Sequence, residues 1–124
     1  MRQTKFRGIE IGTNIWRYGH HIVVDGESQI YDRGGYYIVI PETVGEWTGR
    51  VDRNDKDIYE DDEVNFLGNK ERSYTCGLPE ICRVVWFEES SGWMLTSEKH
   101  SFGLYKTGIY EVIGNIHDKA GEQK

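Results

Sequence analysis

A chain of 124 residues is long enough to bury one core without disulfide or metal staples, and two cores are not expected. Aromatics make up 13% of it, fifteen Gly stand against two Pro, and Ala occurs once, at Ala120, so good helix formers are scarce and an all-β fold is expected. The formal charge of −6, with Lys and Arg scattered, disfavours a nucleic-acid partner, and no apolar run reaches the ~20 residues of a membrane helix.

In chain order, Lys5 to Ile11 alternates as a strand, with Phe6, Ile9 and Ile11 apolar and Gly8 read as a bulge. Asn14 to Tyr18 and His21 to Val24 read as two further strands. Asp25-Gly26 is a type I′ hairpin turn, since both residues accept positive φ at little cost. Ser28 to Tyr31 returns, Asp32 to Gly35 turns, and Tyr36 to Ile40 runs extended until Pro41 removes a ladder donor. Glu46 to Arg50 is extended, Asp52 to Asp57 is a polar loop, and beyond the Ile58-Tyr59 pair Val64 and Phe66 share one face. Gly68 to Pro79 lacks periodicity and reads as a surface loop. Arg83 to Glu88 and Trp93 to Thr96 form a hairpin around Ser90-Ser91-Gly92, Tyr110 to Ile116 alternates, and Asp118 to Lys124 is a polar tail. Short strands at this spacing predict a barrel or sandwich.

Four ordered blocks carry a resemblance. They are Lys5-Phe6-Arg7; Trp47-Thr48-Gly49 with Asp52, Asn54, Ile58-Tyr59-Glu60, Asp62 and Val64; Val84-Val85-Trp86; and Tyr110 to Ile116. Together they resemble the YopX family of phage and prophage proteins, whose hallmark runs aromatic-Thr-Gly, a polar loop, then Ile-Tyr-Glu-Gly-Asp-x-Val. This chain departs where it has Asp61 for Gly and Asp55 for the Gly of an Asn-Gly pair. Asp tolerates positive φ better than most residues, so both turns are expected to survive. The resemblance implies a small SH3-like barrel, here over about 46–118. It would carry an N-terminal β extension over about 1–45 and a polar tail over 119–124, all within a single YopX-like domain. It implies no assigned reaction.

Four groups of residues could carry chemistry. Asp52, Asp55, Asp57 and the run Glu60 to Glu63 form an acidic cluster that would suit a hard cation. Counted as an EF-hand from Asp52, it has Lys56 at a ligand position and Asp57 where Gly is needed. These acids are therefore read as turn residues, with Glu60 and Asp62 at the rim. Cys76 and Cys82 lie six positions apart, outside C-x-x-C or zinc spacing, and are expected to be reduced thiols. Either would need the fold to bring it to His100 to act as a nucleophile, and adjacent His20 and His21 point to opposite faces. Trp86 and Trp93 read as a cross-strand core pair, and core is expected for three of the four Trp. Trp16, Arg17 and Trp47 are the candidate interaction surface. No catalytic motif, cofactor motif or secretory signal is visible. The expected role is a non-enzymatic cytoplasmic accessory protein with a protein partner or a second copy of itself. The alternative is a nucleic-acid-binding barrel that uses the early residues Arg2, Lys5, Arg7 and Arg17.

Overall fold

The structure, a computed structural model, describes residues 5–71 and 79–117. Among the described residues it is all-β, with one short 3-10 turn at Pro41–Thr43 and no α-helix. The strands are β1 (Phe6–Ile9), β2 (Trp16–Val24), β3 (Glu27–Asp32), β4 (Gly35–Ile38), β5 (Gly45–Val51), β6 (Asp57–Tyr59), β7 (Asp62–Asn69), β8 (Glu80–Phe87), β9 (Gly92–Thr96), β10 (Ser101–Gly103) and β11 (Gly108–Asn115). They form two sheets, ordered β4-β3-β2-β1-β5-β6 and β10-β9-β8-β7-β11, with antiparallel ladders. The closed SH3-like barrel expected from the resemblance is not found: no ladder joins β10 to β11 among the described residues. The chain divides into two compact units, one up to Trp47 together with the segment from His117, and one from Thr48 to Ile116.

In the first unit, Asp25 and Gly26 have φ of 51° and 80°, as a type I′ turn requires, and Val24 pairs with Glu27 across it. The two strands expected on either side of Gly19 are instead one. β2 runs unbroken because Gly19 lies against the Tyr31 carbonyl oxygen, where a Cβ would overlap it. Nor is Gly8 a bulge. It pairs in regular register with Arg17, and a Cβ there would come within 3.0 Å of Val39. Val39 also bridges Glu10, and Ile9 N–H donates to the buried Thr43 hydroxyl at 2.9 Å, which fixes the 3-10 turn beside β1. Ile9, Ile30 and Val39 are the fully buried aliphatics of this unit.

The second unit is built on the expected alternation. Val64 and Phe66 turn inward with Ile58, Cys82, Val84, Leu95, Leu104 and Tyr110. β11 pairs with β7 through two register shifts, and β7 extends to Asn69, so Gly68 and Asn69 belong to the strand and not to the expected loop. Lys70, Glu71 and Pro79 lie outside the strands as expected, and the rest of that loop expectation falls on 72–78, outside the described residues, as do the expected tail beyond 117, Cys76 and Arg2. Trp86 and Trp93 do face each other across β8 and β9, edge to face with centroids 5.1 Å apart. They are not a buried pair, however, and Trp86 is 38% exposed. Alternation puts it on the side of Cys82 and Val84, but near the strand end, where little remains to cover it. Trp16 and Trp47 are half-buried, so none of the four Trp is fully buried.

Asp55 and Asp61, where the family pattern has Gly, sit at φ of 63° and 69°. A left-handed conformation costs a non-glycine residue roughly 1–2 kcal/mol, and glycine's extra unfolded freedom offsets about half of the relief. Asp55→Gly should therefore raise stability by about 0.5 kcal/mol. Asp61→Gly should be near neutral, because it also removes two hydrogen bonds from Arg83, at 3.2 and 2.8 Å. Urea midpoints of the two variants test this; a loss of stability in Asp55→Gly would refute it.

Candidate functional site

The acidic segment resolves into structural roles. Asp52 is buried, and its Oδ1 accepts the backbone N–H groups of Asn54 at 2.8 Å and Lys56 at 2.9 Å. Its Oδ2 accepts the N–H of Val112 at 2.9 Å, which ties the turn to β11 across sixty positions. Burial pushes this carboxyl up, but the three N–H donors and the nearby Lys56 charge outweigh it and hold the pKa below the ordinary value. Asp62, expected at a rim, is buried at 1% exposure, and its Oδ2 accepts the N–H of Tyr59 at 2.8 Å. Asp61 pairs with Arg83. Asp52, Asp61 and Asp62 are thus engaged by separate backbone and side-chain donors, and no group of three or more metal-ligating residues gathers among the described residues.

A second cluster was not visible in the sequence. Glu80 at the start of β8 meets the turn between β9 and β10. Its Oε1 lies 2.9 Å from His100 Nδ1, and its Oε2 accepts the Ser97 hydroxyl. The Ser97 oxygen in turn accepts the N–H groups of Lys99 at 3.2 Å and His100 at 3.1 Å. The Ser97 hydroxyl bond, opposed by desolvation and helped by His100, holds the Glu80 carboxyl below its ordinary pKa. The carboxylate is the hub here. The hydroxyl bonds to it and not to the imidazole, and together with the two N–H groups held by the Ser97 oxygen this pins the turn between β9 and β10 against β8. Its one local signal is a Ser three residues before a His between two short strands. Cys82 is buried nearby, and its thiol is pushed up to about 11 by burial and by the Glu80 charge, the reverse of an activated nucleophile.

The three residues singled out as an interaction surface divide between two faces. Strand register puts Trp16 and Trp47 on the face that carries Lys5 and Arg7. The Arg7 guanidinium lies 4.4 Å from the Trp16 ring centre, and the Lys5 ammonium 4.6 Å from that of Trp47. Arg17 faces the other way, 4.0 Å from the Tyr37 ring centre, and donates to Glu10 at 2.8 Å. Glu10 is consequently held below the ordinary carboxylate range, chiefly by the Arg17 hydrogen bond. On that same side, His21 sits tilted against Phe6 at 5.5 Å, and burial lowers its pKa. His20, next to it in the strand, pairs with Tyr31 and is exposed.

These features define a class: an all-β protein of two antiparallel sheets, whose buried Asp52 and Asp62 brace turns and whose Trp16, Tyr37 and Trp47 rings each lie against one of its own cations. Residues 3–121 match the sequence model of the family described as YopX protein, and the chain belongs to that family. A search of curated proteins gives no match. None of the helices among the described residues is long and apolar enough to cross a membrane.

Proposed function

We propose that the chain is a non-catalytic protein-interaction module, a phage or prophage accessory protein that works in the cytoplasm through contacts with another protein or a second copy. The observation that carries this is the end of β2. Ile22, Val23 and Val24 are 42%, 60% and 41% exposed. Consecutive strand residues face opposite sides, so both faces of this hairpin tip present aliphatic surface to solvent. Adjacent exposed aliphatics of this kind are stabilised when another surface covers them. The resemblance supplies the phage setting. An opened SH3-like arrangement of the second unit is supported by β11 returning beside β7, the first strand of the β7–β10 meander.

The test is association. Sedimentation across a concentration series, with crosslinking to host proteins, should show a complex that Val23→Asp weakens at least about tenfold while leaving the melting temperature unchanged. A chain that stays monomeric and crosslinks to nothing would count against the reading. Nucleic-acid binding, the competing reading, would use the Lys5 and Arg7 face. There the rings that would stack on bases are already covered by the chain's own cations.

A further inference from the structure

We infer that the groove beside this hairpin binds a cationic side chain, arginine or lysine, presented by a basic segment of a partner protein; this rests on the interaction reading and specifies its partner. The groove, of about 610 Å³, is lined by Glu10, Ile11, Glu27, Tyr36, Tyr37 and Ile38. Two of these side chains are carboxylates, two are tyrosine rings and none is basic.

The molecule itself shows what such a lining accepts. Arg17 places its guanidinium 4.0 Å from the Tyr37 ring centre and donates from Nε and a terminal nitrogen to Glu10 Oε1, both at 2.8 Å. A carboxylate and an aromatic face thus hold one cation at the edge of the groove. Glu27 and Tyr36 supply the same two chemistries again. Tyr36 is 56% exposed, with its ring stacked on Tyr31 at a centroid distance of 5.5 Å. Glu27 is exposed and bonded through Oε1 to the Gln29 amide at 3.1 Å, with no ion pair among the described residues. Electron-rich ring faces and carboxylates attract guanidinium and ammonium groups and repel phosphate, which selects a basic peptide over a nucleic acid. The chain's charge of −6 steers the same partner toward it. Glu27 pairs with Val24, so the groove adjoins the exposed aliphatic tip, and one extended segment can engage both.

The test uses the full chain and a Gly-Arg-Gly-Arg-Gly peptide, with a citrulline version that keeps the shape and removes the charge. Amide chemical shifts of residues 35–38 should move on titration with the arginine peptide and return toward their free values as salt is added. The citrulline peptide should bind at least about tenfold more weakly, and Tyr36→Ala and Glu27→Gln should each weaken arginine-peptide binding about threefold to fivefold. Unchanged spectra elsewhere show that both variants remain folded. Equal binding of the two peptides, wild-type affinity in both variants, or no shifts at millimolar peptide each overturns the inference. The association measured with Val23→Asp is a separate readout, so the groove can fail while the interaction reading stands.

Discussion

Replacing Asp52 by alanine is expected to remove about 4 kcal/mol of stability, a large share of the 5–15 kcal/mol that holds a domain folded. The side chain satisfies three backbone N–H groups, those of Asn54, Lys56 and Val112. Truncation strands all three; a fully buried orphan donor costs about 1–3 kcal/mol, and these part-buried ones cost less where water reaches exposed Asn54 and Lys56. Asp52→Asn keeps one acceptor oxygen and should lose about half as much. Acid provides an independent check. The folded pKa of Asp52 is lowered, so between it and the unfolded value the unfolded chain binds more protons. The contribution is therefore complete above the unfolded carboxylate value of about 3.9 and drains away as pH falls through the lower folded value. Wild type should lose stability steeply in that acid window and Asp52→Asn less steeply. Parallel pH profiles, or an alanine variant that melts with wild type, would show that the turn is not braced this way.

Gly19→Ala is the second large effect, expected at about 3 kcal/mol, localised to the first unit. A Cβ at this position overlaps the Tyr31 carbonyl oxygen, a backbone atom that has no rotamer to escape into. β2 and β3 would have to separate around the His20–Tyr31 pair to admit it. Hydrogen exchange should accelerate in β2 and β3, while amides of the Phe66–Tyr110 core serve as the reference within the second unit. Wild-type protection at Ile22 and Ile30 would rule the clash out.

The sequence was legible where local chemistry and tertiary demand agree. Asp25-Gly26 turns because two consecutive positions need positive φ, and no distant residue alters that. Val64 and Phe66 point inward because alternation and burial coincide. The acidic segment reads as scaffolding because its spacing fails the calcium-loop template, although Asp62 is buried and not at the rim where the sequence puts it.

What was illegible depended on partners far along the chain. Gly19 reads as a break in a strand, and only Tyr31 lying across it explains an unbroken β2. Gly8 reads as a bulge until Val39 is found against it. Arg7 is 7% exposed beneath a Trp16 ring, which composition does not foretell for an arginine. Glu80 meets Ser97 and His100 from another strand, and no spacing announces that meeting. Barrel closure was likewise a question of whether two edge strands find each other, and sequence periodicity says nothing about that.

The place of β11 has a consequence during synthesis. It pairs with β7 and not with its sequence neighbour β10, so β7 to β10 leave the ribosome before the strand that covers β7's outer edge has been made. Until residues 108–115 emerge, that edge offers bare N–H and C=O groups to any nascent chain nearby. Messages cut short between Gly103 and Gly108 should therefore yield sticky products that coaggregate or call on chaperones, whereas in the complete sheet β11 occupies that edge of β7.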